Sequence, residues 1–172
     1  MRDETIALHH AYEPDNQNAV AVPIHQTSSY SFDSAQHAAD LFARHVVLPA
    51  IRQPRGLPRV RALFERWVAW VDHPGIPGGC IFMSAAAAYD DRPGAVRDLL
   101  SDKVSLLRHN MARACRIAMD EGHLSEDLDP DQFAYELHGI LLVHHIDSRL
   151  FDDPRALERS HRAFEALVAR SR

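Results

Sequence analysis

Three residue types in this chain could support chemistry, and their spacing limits what each can do. The single lysine, Lys103, could act as an amine nucleophile if burial lowered its charge state. It lies instead in "LLSDKVSLL" beside Asp102, a context that reads as a solvated helix surface. His138, His144 and His145 fall on one predicted helix, with His109 on another. Zinc needs three or four ligands that converge, often at i, i+4 spacing. His138 and His145 share a face while His144 points elsewhere, so no metal site is expected. Cys80 follows "PGG" at a helix start, where the helix dipole could favour a thiolate; a small buried residue is the simpler reading. The "PGG" and "RPG" turns lack the spacing of a phosphate-binding loop. No catalytic residue is assigned, and no cofactor is called for.

A second set of residues is suited to binding. Trp67, Trp70, Phe82, Met83, Met111, Cys115 and Tyr135 are large, soft or amphipathic, and they come from several predicted helices. They could line an apolar pocket for a small apolar ligand. The alternative is that they fill the core, as aromatic residues at helical spacing usually do.

The elements that must position these residues are helices. "SAQHAADLFARH" begins one, capped by Asp33 or Ser34, with Ala38, Leu41, Phe42, Val46 and Leu48 as its stripe and an end near Pro49. The next spans about Leu57 to Asp72, with Pro58 in its first turn and "HPGIPGG" as its stop. "CIFMSAAAAYDD" reads as a short helix buried on all sides. A long helix follows from Gly94 to Glu121, closed by Gly122. Asp129 and Pro130 start the next, which runs to about Leu150, and Asp153 and Pro154 start the last. The expected fold is all-α, a helical bundle.

The stripes of the last two helices are wider than one intramolecular contact needs. Phe133, Leu137, Ile140, His144, Leu157, His161, Phe164 and Val168 are therefore candidates for a dimer seam, with an ordinary core face as the alternative.

The chain ahead of these helices follows a different grammar. Residues 1–33 are polar and turn-rich, and "AVAVPIHQTSSY" is broken by Pro23, so an extended, irregular leader is expected. The division is placed at 1–45 and 46–172. Bulk composition fits one ordinary domain: 172 residues, 46% hydrophobic and 25% charged. A net charge of -5 provides no global attraction to nucleic acid. No stretch reaches the roughly 20 apolar residues of a membrane span. Two unpatterned cysteines suggest a reducing, cytoplasmic setting.

Two resemblances attach to these halves. "ETIALH", "YEPD", "AVAVPI", "QTSSYSFDS" and "HAADLF" make residues 4–43 resemble the N-terminus of O-acetylhomoserine sulfhydrylases, a pyridoxal-phosphate-dependent family. That resemblance implies a lysine far downstream, a phosphate loop and a pyridine-pairing aspartate, none of which this sequence supplies. The leader is therefore expected to be inert. "PRGLPRVRALFERWVAW", "PGGCIFMSAAAAYDDRPGAVRDLL" and "ARACRIAMDEGHLSEDLDPDQFAYELHGILL" make residues 46–172 resemble the C-terminal regulatory domain of TetR-family repressors. This second resemblance implies a non-catalytic ligand-binding and dimerisation domain. It also implies a homodimer, or a heterodimer with an intact homologue. A full repressor places a three-helix DNA-binding unit ahead of Val46. Here that stretch offers one helix with Arg44 as its cation, so no direct specific DNA binding is expected. The alternative is a truncated or chimeric sulfhydrylase relative without retained activity.

Overall fold

The computed structural model describes residues 35–73 and 79–172, and every regular element in them is helical. The leader, the Asp33/Ser34 cap and most of the "HPGIPGG" stop lie outside the described residues. Among the described residues there is no strand.

The first helical run begins with α1 (Ala35–Phe42), passes through a π-helical turn (Ala43–Val47) and continues as α2 (Leu48–Ile51). The sequence predicts an end near Pro49, but the helix outlasts it. Proline lacks an N–H and its ring crowds the carbonyl four residues back. The π turn just before it, closed by the Leu48 N–H on the Ala43 carbonyl, widens the backbone where that crowding would fall. The residue 45/46 division therefore falls inside unbroken helix. Phe42 and Val46 are buried, and Phe42 packs edge-on against Trp67 at 5.3 Å and Trp70 at 5.9 Å between ring centroids.

Helix α3 (Leu57–Val71) is the hub. Val60, Phe64, Trp67, Val68, Trp70 and Val71 are all buried along it. Its start is set by Gly56, at φ +88°, and by His123, whose Nδ1 accepts a hydrogen bond from the Leu57 N–H at 3.2 Å. Helix α4 (Ile81–Tyr89) differs from expectation. Only Met83 is buried, and its last three residues, 87–89, are exposed; its main packing partner among the described elements is the next helix.

Helix α5 (Ala95–Asp120) ends in a Schellman cap: Gly122, at φ +70°, donates to the Met119 carbonyl and His123 donates to the Ala118 carbonyl. Its stripe is buried at Met111, Ala112, Cys115 and Ala118, whereas Val96 and Leu99 near its start are exposed. Helix α6 (Pro130–Arg149) starts as predicted, with Asp129 Oδ1 accepting from the N–H groups of Asp131 at 2.9 Å and Gln132 at 3.2 Å. Helix α7 (Ala156–Arg170) follows a turn in which Asp153 Oδ1 accepts from the Arg155 N–H.

Helix α6 packs between α5 and α7, and α3 lies against α5, α6 and the N-terminal helical run. Phe64 stacks flat on Phe164, 4.3 Å between centroids, and Arg61 covers the outer face of that pair while gripping Glu165 with both guanidinium nitrogens. That contact joins α3 to α7 through an aromatic stack capped by a bidentate ion pair.

Candidate functional site

A cavity of about 290 Å³ opens between the N-terminal helical run, α3 and α5. The first wall is Phe42, Val46, Val47, Ala50 and Ile51, which straddle the π turn. The second is Gly56, Arg59, Leu63 and Trp67, one row along α3. The third is Leu107, Asn110, Met111, Arg113, Ala114 and Ile117 on α5. The surface is mostly aliphatic and aromatic. Among the described residues Arg59, Asn110 and Arg113 are its polar members, and no carboxylate lines it.

Trp67, in the second wall, also carries an enclosed polar atom. The Trp67 ring is buried, and its Nε1–H has no hydrogen-bond partner. An orphaned buried N–H is costly, of order 1–3 kcal/mol, so such groups normally find a partner. Arg59 is anchored by its Nε–H donating to the Gln53 carbonyl at 2.9 Å.

The predicted pocket residues divide by position. Trp67 and Met111 line the cavity. Trp70, Met83 and Cys115 are buried in the core away from it, and Phe82 is partly buried against the core. Tyr135 is placed on the outside, 61% exposed, with the Arg108 guanidinium over its ring. The sequence reading missed the entire N-terminal wall. The Phe42–Val46 spacing is legible as a stripe, but a stripe does not say that it borders a pocket, and the 45/46 division splits this wall, with Phe42 on one side and Val46, Val47, Ala50 and Ile51 on the other.

The seam candidates need correction. Phe133, Leu137, His144, Phe164 and Val168 are each no more than 2% exposed, so they cannot meet a second chain without unpacking the core. Ile140 packs against that core, and His161 stands edge-on to Phe64 at 5.1 Å. Leu157 alone of the set is well exposed, at 50%. The solvent-facing apolar residues of α6 are a different row: Tyr135, Leu142, Val143, Ile146 and Leu150, followed by Phe151. Beside them a groove between α6 and α7 is floored by Gly139, Val143, Ala156, Ser160 and Ala163. A helical period of 3.6 places both stripes on one helix, and periodicity alone does not say which faces inward.

The remaining reactive groups are structural. His144 Nε2 lies 3.3 Å from Asp72 Oδ2, and Ser148 Oγ donates to Asp72 Oδ1, so the end of α3 is tied to α6. Burial pushes the Cys80 thiol up, outweighing hydrogen bonds from Met83, Phe82 and Trp70, and burial pushes the Cys115 thiol up to about 11. A thiol so placed is a poor nucleophile, and the helix-start argument for a reactive Cys80 does not survive its burial. Among the described residues no three metal-ligating side chains converge.

Two kinds of likeness to known proteins bear on this site. Residues 56–164 match the family described as "Tetracyclin repressor-like, C-terminal domain". The fold is similar to a TetR transcriptional regulator of Chloroflexus aurantiacus J-10-FL, with a TM-score of 0.67 at 16% identity, over 78% of this chain and 66% of that one. A short stretch is also 52% identical over 44 residues to O-acetyl-L-homoserine sulfhydrylase 1 of Thermus thermophilus, covering 25% of this chain. It is 52% identical over 43 residues to the Leptospira meyeri O-acetyl-L-homoserine sulfhydrylase. The chain spans about a tenth (10%) of the length of these two curated relatives.

Proposed function

Because this chain belongs to the tetracyclin repressor-like C-terminal domain family, we propose that it is the sensing and pairing part of a transcriptional regulator. It takes a small, largely apolar ligand in the cavity walled by the N-terminal helical run, α3 and α5. It pairs with a second subunit, either another copy or an intact homologue, through the outer faces of α6 and α7. The observation that carries this reading is that the two apolar features left unfilled lie on different helices. The cavity uses one set, and the Tyr135–Leu142–Val143–Ile146–Leu150 row uses another. A ligand wedged between α3 and α5 would favour one helix arrangement, and α6, which packs on α5, would carry that preference to the partner subunit.

No operator contact is assigned to residues 35–172. The N-terminal run itself, residues 35–51, carries Arg44 as its one Lys or Arg, with Arg52 and Arg55 between it and α3, and its Phe42, Val46 and Ala50 are buried. That is too little positive charge to neutralise a row of phosphates. Sulfhydrylase chemistry is not assigned either. An aldimine-forming enzyme needs a buried lysine amine, and Lys103 is partly exposed on α5 and does not line the cavity. The residues therefore do not fit pyridoxal phosphate. Among the described residues no helix is long and apolar enough to cross a membrane.

Native mass spectrometry at tens of micromolar tests the pairing. The expected species is twice the 19.4 kDa chain, and Val143→Glu, which puts a charge in the middle of the exposed row, should return it to the monomer with unchanged helicity. A wild-type monomer under those conditions would sink the pairing half of the reading.

A further inference from the structure

The outer face of α6 has a gap at its middle. At about 100° per residue, Tyr135, Gly139, Leu142, Val143, Ile146 and Leu150 fall within an arc of roughly 100°. The buried Phe133, Leu137, Leu141 and His144 lie on the opposite side of the helix. Gly139 stands near the centre of the exposed arc and midway along the 20 residues of α6. Its φ is negative, as in any helix, and a Cβ added there would meet nothing within 4 Å among the described residues. Neither backbone conformation nor a contact within those residues calls for glycine, and glycine weakens a helix relative to alanine. What its bare backbone permits is the close approach of another backbone.

Three properties of this face select a second copy of the same chain as what approaches. The arc from Tyr135 to Leu150 carries no charged side chain, so two identical copies can meet there without opposing like charges. The patch also holds both halves of a fit. Beside the projecting apolar row lies the α6–α7 groove, about 350 Å³, bordered by Gly139 and Val143 on α6 and by Ser160 and Ala163 on α7. A twofold contact needs projection and recess on one surface, because each copy presents the same patch. Its extent is sufficient: the exposed α6 row and Phe151 offer on the order of 600 Å² before the groove is counted, against ~800 Å² per partner in a specific interface.

We propose that two copies of this chain pair with their α6 helices crossing at Gly139, backbone close to backbone, and with the twofold axis passing through that crossing. This rests on the pairing reading and fixes its partner and its geometry. Val143 and Ile146, one and two turns along, pack around the crossing, and the α6–α7 groove receives the side chains that flank it.

Sedimentation velocity of the full chain, up to tens of micromolar, combined with thermal melts followed by circular dichroism, tests the crossing. Gly139→Ala should weaken the wild-type dimer by about tenfold, since one methyl group overfills a tight contact. Gly139→Leu should leave only monomer, with unchanged helicity because the side chain has open space in the single chain. In the Val143→Glu background, where the chain is held as a monomer, Gly139→Ala should instead raise the melting temperature by about 2–4 °C through helix propensity alone. One methyl group thus stabilises the single chain and weakens the pair, a combination that general damage to the fold does not produce. A wild-type dimer that Gly139→Leu leaves intact, or that Gly139→Ala tightens, would overturn the crossing while keeping the pairing. A Val143→Glu chain that still pairs would overturn it too, because Val143 stands one turn away. If Gly139→Leu loses helicity, the sign of the two alanine results decides. A wild-type chain that stays monomeric would remove both the crossing and the pairing reading on which it rests.

Discussion

Gly56 and His138 show how much single residues control here. At Gly56 a Cβ would stand 2.2 Å from His123 Nδ1, and φ is +88°, a conformation that side chains rarely adopt. Gly56→Ala should therefore strain the backbone and dislodge the imidazole that caps Leu57. The expected loss is about 2–3 kcal/mol, measured as a fall in the urea midpoint with unchanged slope. At His138, burial and then the nearby Arg108 charge hold the imidazole below its usual pKa of 6.5. The folded protein thus favours the neutral ring, and the unfolded chain takes up the proton first as the pH falls. Stability from this residue is complete above about pH 6.5 and declines as pH drops toward the lowered folded value. His138→Gln should flatten that slope, and urea melts at pH 7.5 and pH 5.5 check it. An identical pH slope in the variant would assign the acid sensitivity to other groups.

Helix ends were legible wherever a side chain or a backbone rule acts locally. Asp129 followed by Pro130 marks an N-terminus because the carboxylate reaches the first free N–H groups, and proline has none to lose. The structure has that cap, at 2.9 and 3.2 Å. Asp129→Ala should cost about 1 kcal/mol and lower the melting temperature by about 2–4 °C, with Asp129→Asn nearly neutral. Gly122 was legible for the same reason, as the left-handed closing residue of α5. Pro49 was not. Local rules end a helix there, but a π turn one residue upstream absorbs the crowding, and only the packing of Val46 and Ala50 against the core makes that turn worthwhile. Most of the seam candidates lie in the core for a related reason. Helix α6 carries two apolar faces, and which one meets α3 and α7 is a property of the neighbours.

At the scale of the whole molecule, the N-terminal helical run behaves in the fold as part of the core. Phe42 stands edge-on to both tryptophans, and its loss would open a cavity beside the proposed ligand site. Phe42→Ala should cost about 3–5 kcal/mol. Tryptophan fluorescence and far-ultraviolet circular dichroism should still melt in one coincident transition; two separated transitions would mean that residues 35–51 fold apart from the rest. Sequence alone determined that the described residues are helical, with the α3, α5, α6 and α7 spans and the caps of α5 and α6 in place, because periodicity and capping act over a few residues along the chain. Tertiary structure alone decided which apolar face turned inward and that the N-terminal helix walls a cavity. Those outcomes depend on side chains far apart in sequence competing for the same buried space, and no local pattern records the result of that competition.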